Sequence, residues 1–530
     1  MPSDCITYQN SGYFSKLIVD YLDQKENLKP LYNRFPTIEN FKLQIAEKEQ
    51  NFPVSNRTIL ADALQKQYAN FKISDATATN VEALKSENTF TITTGHQLNL
   101  FTGPLYFLYK IISVINLCKD LKKQYPNYHF VPVYWMATED HDFEEINYFN
   151  FKSKKIHWEK DAKGPVGRFD TKGLQEVFDV FSLDLGLGEN ANYLRNLFEK
   201  AYTQHENLAD ATRYLANELF KEDGLVIIDG DDSSLKRIFS PYVKDELEQQ
   251  SSFTQVEKTI PLLKEYNVQV NPREINLFYI HDNLRERIVF ENGHYLINNT
   301  GLSFSKSEIL TELENYPERF SPNVILRPLY QEVILPNLCY IGGGGELAYW
   351  LELKSNFEHQ NVTFPILLLR NSAVIATEKQ NQKIAKLNLN WNDLFLKQEV
   401  LKNKEIQSLS QFTIDFTPQK EHLKKQFEAL YQIANQTDQS FVGAVAAQEK
   451  KQLKGLENLE KRLLKAEKRI HQEKLSQIVA LQNQLFPGQS LQERKLNFSE
   501  IVLEFGITTV LNTLKARFNP LSNEFTVVIL

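Results

Sequence analysis

Two short polar segments of this chain carry residue types that could do chemistry together. The first is Gly95-His96-Gln97 with Asn99, and the second is Glu139-Asp140-His141-Asp142, followed by Glu144 and Glu145. Carboxylates beside an imidazole can hold a substrate ammonium and later accept its proton, which is general acid/base chemistry. Gly95 lets a ligand approach the backbone closely. Gln97 and Asn99 precede a helix whose N-terminus favours anions, so phosphate or carboxylate suits the first segment. The acidic segment also invites a metal reading. Neighbours in an extended loop point in different directions, however, so only two or three of these six groups could meet one ion, and no intrinsic metal is expected. A third segment, Gly342 to Gly345 before Glu346, offers consecutive backbone N–H groups at a helix start, a phosphate-cradle arrangement. It lacks the Lys-Ser/Thr of a Walker A loop, and a plain flexible turn is the alternative. Phe304-Ser305-Lys306-Ser307, with Glu308 following, reads as a helix start.

The elements around these segments put them on one edge. Phe90 to Thr94 and Phe130 to Ala137 are β-branched and aromatic runs that predict strands, and each ends at one of the two polar segments. Between them Leu105, Leu108, Ile112 and Ile115 recur at helical spacing, with Pro104 at the start and Lys119, Lys122 and Lys123 near the end. This is a βαβ unit. Its crossover is right-handed and its strands parallel, so both polar segments emerge at the carboxyl edge where open α/β sheets bind ligands. The alternation resumes with a helix from Leu208 to Phe220, a strand from Leu225 to Ile228 capped by Asp229-Gly230-Asp231-Asp232, and a strand from Phe364 to Leu369 ending in Arg370-Asn371. The first ~85 residues predict helices packed on the sheet, broken at Pro30, Pro36 and Pro53. Two stretches interrupt the alternation. Residues about 151–205, with Lys152, Lys154, Lys155 and a Gly164-Pro165-Val166-Gly167 turn, look like one insertion. Within about 255–320, Asn276 to Ile280, Arg285 to Phe290 and Tyr295 to Asn298 are separated by His281-Asp282-Asn283 and Asn292-Gly293, predicting a small antiparallel sheet.

A chain of 530 residues exceeds one core and divides into domains, here 1–390 and 391–530. The net charge of -7 and pI near 5.9 argue against a nucleic-acid binder. The start, Met1-Pro2-Ser3-Asp4-Cys5, lacks the features of a signal peptide, and no window approaches the ~18 apolar residues of a membrane span, so a cytoplasmic protein is expected. Cys5, Cys118 and Cys339 form no CxxC pair, which leaves disulfides and zinc-thiolate sites without support.

The C-terminal domain follows different rules. From Val442 to Phe486 only Gly443 and Gly455 interrupt a helical pattern, and Leu456, Leu459, Leu463, Ala466 and Ile470 step by 3, 4, 3 and 4. That spacing predicts a coiled coil on a helix of about 440–486, roughly 65 to 70 Å long, with a stutter near Lys474. Its partner is either a helix such as Glu421 to Ala434 or a second copy of the chain. Residues 450 to 474 carry nine Lys/Arg against four Glu, read as a solvated face.

Taken together, these segments resemble one family, the bacillithiol biosynthesis cysteine-adding enzymes. The match rests on Thr94-Gly95-His96-Gln97 with Phe101 to Tyr106, Trp135 to Glu145, and Asn271-Pro272-Arg273-Glu274. It continues through Arg319 to Val324 with Arg327-Pro328, Tyr340 to Gly343 with Gly345 to Trp350, and Leu491-Gln492-Glu493-Arg494. It spans nearly the whole chain. Two departures are His96, where the family loop usually reads Gly-Gln-Gln, and Gly344, where Pro is common. The first makes hydrogen bonding a safer role for His96 than obligatory acid/base work.

The resemblance implies a Rossmann-like core with insertions, a dimerising C-terminal coiled coil, and the joining of the cysteine carboxyl to the amine of glucosaminyl malate. It also implies a likeness to class I synthetases, where the loop after the first strand holds nucleotide phosphates. Amide formation from a free carboxylate needs activation, so ATP, with Mg2+ as its companion, is the expected cosubstrate. On this reading Glu139, Asp140, His141 and His96 are the catalytic candidates. Gly95, His96, Gln97 and Asn99 face an anion, Asp140, His141 and Asp142 orient the amine, and Gly103 and Trp135 are further binding candidates. Glu346, Arg327 and Arg370 line the far side, and Gly342, Gly343, Gly345 and Asn371 are further substrate- or nucleotide-binding candidates. A non-catalytic nucleotide-binding coiled-coil scaffold and a metal-dependent hydrolase are the competing functions.

Overall fold

The computed structural model describes residues 6–530; Cys5 and the start of the chain lie outside the described residues. Its centre is a five-stranded, wholly parallel sheet. The strands in chain order are β1 (Thr89–His96), β2 (His129–Met136), β3 (Val226–Asp229), β4 (Asn337–Gly342) and β5 (Ile366–Leu369). In space they run β3-β2-β1-β4-β5. Every residue of β1, β4 and β5 is buried, as expected for strands covered by helices on both faces. The order reverses between β1 and β4. In doubly wound sheets that reversal opens a crevice at the carboxyl ends of the two strands, the topological switch point where ligands bind.

Helix α1 (Tyr106–Gln124) is the crossover from β1 to β2. Its apolar stripe, including Leu108, Ile112 and Ile115, is fully buried against the sheet. Helix α2 (Arg327–Ile334) leads into β4, and α3 (Gly344–Trp350) leaves it. The N-terminal region is helical, with helices Lys16–Leu22, Ile38–Asn51, Val54–Gln67 and Asp75–Ala83.

The first insertion contains the hairpin Tyr148–Phe151/Lys154–His157 and helices Leu174–Leu185 and Glu189–Thr203. The second forms an antiparallel sheet from Leu277–His281, Leu284–Glu291, His294–Ile297 and Ser303–Phe304, closed by Phe320–Pro322. Ser305 and Glu308 form a reciprocal capping box at the next helix.

The long C-terminal helix departs from expectation. It is two helices, α4 (Gln439–Ile470) and α5 (Gln472–Leu485), because His471 leaves helical geometry at φ −97°, ψ 19°. The break falls at the stutter, where the apolar stripe changes phase. Beyond it, Ile478, Leu481 and Leu485 bury completely in the main core. α4 alone is about 48 Å long. It packs on the helix Thr417–Ala434 through Phe427, Ala434 and Val445, giving an intramolecular hairpin. The chain finally returns to the core. Strand Glu524–Ile529 pairs parallel with Ala373–Ala376 and antiparallel with Ile6–Thr7. Cys118 and Cys339 are buried free thiols. Among the described residues no helix is long and apolar enough to cross a membrane.

Candidate active site

The switch-point crevice is framed by a partly buried carboxylate. Glu346, in the first turn of α3, accepts hydrogen bonds from the Tyr340 hydroxyl (2.6 Å) and the Gly343 N–H (2.8 Å), and pairs with Lys110 Nζ (2.7 Å). Lys110 also donates to the Gly95 carbonyl at 2.6 Å. One ammonium therefore braces the end of β1 to the turn after β4. Burial opposes ionisation of Glu346, but Lys110 and the hydrogen bonds outweigh it and hold its pKa below the usual value. Burial depresses Lys110, with Glu346 opposing. With its oxygens engaged, Glu346 is a frame for the crevice and is poorly placed to accept a substrate proton.

Arg327, at the start of α2, is the cation this frame leaves unmatched. Its guanidinium donates to Tyr349 Oη (3.3 Å) and Gln331 Oε1 (3.2 Å), both neutral, and it has no ion pair among the described residues. A Cβ added at Gly95 would stand 4.0 Å from Arg327 Nη1 and 3.2 Å from Tyr340 Oη. Gly95, Arg327 and Tyr340 thus share the crevice wall. The crevice and its flank hold three cations, Lys110, Arg327 and Arg370, against two carboxylates, Glu346 and Glu493. A partly buried charge without a counterion carries a desolvation cost that an anionic ligand would offset. The arrangement suits an anion at Arg327.

The loops after β1 and β2 also meet. Gln97 Nε2 donates to Asp140 Oδ2 (3.0 Å) and Glu145 Oε2 (2.9 Å), and Asn99 Nδ2 donates to the Glu145 carbonyl (3.2 Å). Burial opposes ionisation of Asp140, but contacts with His141 and Gln97 and the nearby charge of Arg285 hold it below the ordinary carboxylate range. Glu139 pairs with Lys236 (2.7 Å), which also holds Asp231 (2.9 Å). Asp231 is gripped in turn by Arg168. Asp229, at the end of β3, accepts from the Thr138 hydroxyl and from the Asp231 N–H. Burial and the charge of Asp231 push it up to about 6.

Several residues named from sequence have other work. The His96 ring packs on Tyr106 and Phe107, with Nε2 3.4 Å from the Thr102 carbonyl. Burial, reinforced by Lys110, pushes its pKa down to about 3, so it stays neutral at physiological pH and is suited to hydrogen bonding. Trp135 is 2% exposed and packs edge-on against Tyr330, a core position away from solvent. Asp142 caps the turn Phe143–Ile146 by accepting from the Glu145 N–H. Asn371 ties Ser113 to the Asn519 carbonyl. Arg370 is 4% exposed and paired with Glu493 (2.6 Å), fastening the core to the C-terminal region. Gly103 has φ +61°, and a Cβ there would strike Asn99 at 2.6 Å, so its role is to shape the turn. The glycine run is a weaker phosphate cradle than its sequence suggests. Gly343 spends its N–H on Glu346, and a Cβ at Gly342 would meet Leu347 at 2.9 Å, whereas Gly345 is open.

The site also contains residues that sequence reasoning passed over: Lys110, Tyr340, Tyr349, Lys236, Arg168 and Arg285. A lysine inside the apolar stripe of α1 was a readable signal; the others depend on distant segments meeting. No three His, Cys, Asp or Glu side chains converge to hold a metal ion among the described residues.

Comparison with known proteins agrees with this architecture. Residues 1–371 match the family described as "Bacillithiol biosynthesis BshC, N-terminal Rossmann-like domain", and residues 373–530 match "Bacillithiol biosynthesis BshC, C-terminal coiled-coil domain". A protein of Flavobacterium johnsoniae named "Putative cysteine ligase BshC" is 65% identical over 528 residues, covering 100% of both chains. Proteins of the same name from Flavobacterium psychrophilum and Christiangramia forsetii are 64% and 55% identical, covering 100% of this chain and 99% of theirs. With both family models matched, the chain belongs to the BshC family of bacillithiol biosynthesis.

Proposed function

We propose that the protein is a cysteine ligase that forms an amide between the carboxyl of L-cysteine and the amine of glucosaminyl malate, with ATP activating the carboxyl. The carrying observation is Arg327, a cation without an ion pair at the switch point, beside Gly95 and the Lys110–Glu346 brace. An anionic oxygen of nucleotide or malate is the counterion this geometry accommodates. ATP would supply the phosphorus centre that converts a carboxylate oxygen into a leaving group. Ionised Asp140, with Gln97 and Glu145 beside it, offers negative charge for an ammonium at the adjoining strand end. The names of the relatives, "Putative cysteine ligase BshC", support the cysteine-ligase part of this reading.

Dimerisation through the C-terminal hairpin belongs to this reading. Leu459 and Ile470, members of the apolar stripe of α4, are 53% and 72% exposed, and at the other end of the hairpin Phe441 (46%) and Ile433 (58%) are exposed as well. A second copy would cover them. The cytoplasm is the compartment that suits such a biosynthetic step.

Incubation with cysteine, glucosaminyl malate, ATP and magnesium, followed by mass spectrometry, tests the proposal. The condensed thiol should form only with nucleotide. Its absence with well-folded protein would favour the nucleotide-sensing scaffold instead.

A further inference from the structure

The hairpin turn of the second insertion sits on the Gly164 to Arg168 segment of the first insertion. A Cβ at Gly164 would come within 2.8 Å of the Leu284 nitrogen, so the glycine lets the two backbones touch. Arg168 ties the same turn through Asp282 at 3.3 Å. From this seat Arg285 reaches the acidic segment. Its guanidinium lies 3.8 Å over the Phe278 ring, and its Nη1 stands 2.6 Å from His141 Nδ1. Arg285 has no ion pair among the described residues, and its Nε is buried without a partner.

A guanidinium can only donate, so Nδ1 of His141 must accept. The proton of the neutral ring then resides on Nε2, since each nitrogen's role is set by the bond the other makes. Asp140 is the more distant neighbour of Nδ1. Its Oδ1 is 3.7 Å away and already accepts from the His141 backbone N–H (2.8 Å), while Oδ2 accepts from Gln97 (3.0 Å). A carboxylate on Nδ1–H would make His141 a base at Nε2; here a cation occupies that place and reverses the polarity. The His141 side chain is 50% exposed, and its Nε2 has no protein partner among the described residues.

We infer that Arg285 is a positioning residue that fixes His141 as the Nε2–H tautomer, so that His141 presents a hydrogen-bond donor to an anionic oxygen of the reacting carboxyl or nucleotide. The inference rests on the ligase reading for the use of that donor, but not for the tautomer itself. It changes the expected role of His141 from proton acceptor to oxyanion donor, and it makes the antiparallel insertion part of the site.

Imidazole 15N NMR of the full-length, 15N-histidine-labelled protein reads the tautomer directly, with His141 assigned by loss of its signals in His141→Gln. The Nε2–H pattern is expected at neutral pH. Arg285→Met should leave Nδ1 free to carry the proton toward Asp140 Oδ1, 3.7 Å away, and so shift the ring toward the Nδ1–H form. Arg285→Lys, which keeps a donor, should restore the original pattern. In the condensation assay kcat of Arg285→Met should fall about tenfold or more, with recovery in Arg285→Lys. An Nδ1–H or imidazolium signal in the unaltered protein overturns the inference, as does an unchanged pattern in Arg285→Met. A converted ring with unchanged kcat overturns the donor role while leaving the ligase reading standing. Failure of the unaltered protein to condense anything would overturn the ligase reading, and the NMR result would still decide the tautomer.

Discussion

Arg327→Met should separate ligand binding from folding. In the free protein the guanidinium makes two long bonds to neutral acceptors, Tyr349 Oη at 3.3 Å and Gln331 Oε1 at 3.2 Å. Each is worth roughly 0.5–1.5 kcal/mol net, and removing a partly buried cation without a counterion relieves a desolvation cost of similar size. Gln331 keeps its second bond, to Glu332 at 2.9 Å. Stability should therefore change by no more than about 1 kcal/mol. The ligand-bound state differs, because a charge-assisted bond to an anionic oxygen is worth about 1.5–3 kcal/mol. Its loss should raise KM or Kd for at least one anionic substrate, ATP or glucosaminyl malate, roughly ten- to hundredfold. Partial access of water to Arg327 favours the lower end. Thermal unfolding of the ligand-free variant and steady-state kinetics with each substrate varied in turn provide the two readings. A large loss of stability with both KM values unchanged would refute the reasoning, since Arg327 would then be a structural cation.

Other perturbations test separate parts of the account. Gly95→Ala places a Cβ 3.2 Å from Tyr340 Oη, whose hydroxyl is held by Glu346, so kcat/KM should fall at least about tenfold while unfolding stays near that of the parent; unchanged kinetics would show the wall can yield. Asp229 has a folded pKa of about 6, above its ordinary carboxylate value, so its contribution to stability is present below about pH 4 and is lost as pH rises through 6. Asp229→Asn should accordingly stabilise the protein at pH 8 relative to pH 5, read by urea unfolding at both pH values; an identical pH dependence in parent and variant would contradict the assignment. Glu493→Gln leaves buried Arg370 without its carboxylate and should cost about 3–5 kcal/mol, visible as a large drop in the thermal midpoint, whereas an unchanged midpoint would show that this joint contributes little. Leu459→Glu with Ile470→Glu should convert a dimer to monomer in sedimentation velocity without unfolding the core, and a persistent dimer would move the interface elsewhere.

The sheet was legible because its strands are short apolar runs bounded by polar strand ends, and because α1 keeps its apolar residues at helical spacing. The antiparallel insertion was legible from Asn292-Gly293 and the neighbouring β-rich runs. Alternating burial and turn chemistry are local properties, and sequence displays local properties well. The break at His471 was harder, since the stutter marks a change of phase but only the main core, capturing Ile478 and Leu481, makes it a change of direction. In the site, the meeting of Gln97 with Asp140 followed from the parallel register of β1 and β2. The Arg285 contact did not, because its partner lies 144 positions away and arrives on a different sheet. Trp135 and Asn371 were misplaced for a related reason. Residues at a strand end can face the crevice or the packed helices, and spacing alone does not say which. The Gly343 to Glu346 interval, three residues with an acid at the end, was a capping signal that could have warned that one N–H of the glycine run was already committed.

The most direct measurement is the fate of oxygen. Cysteine labelled with 18O in both carboxyl positions should be condensed with glucosaminyl malate in the presence of ATP, and the products analysed by mass spectrometry. If the protein activates the cysteine carboxyl with nucleotide, one labelled oxygen remains in the amide and the other appears in the released AMP or phosphate. Product formed without label in any phosphorus-containing species would contradict nucleotide activation, and no product from folded protein would contradict the ligase assignment itself.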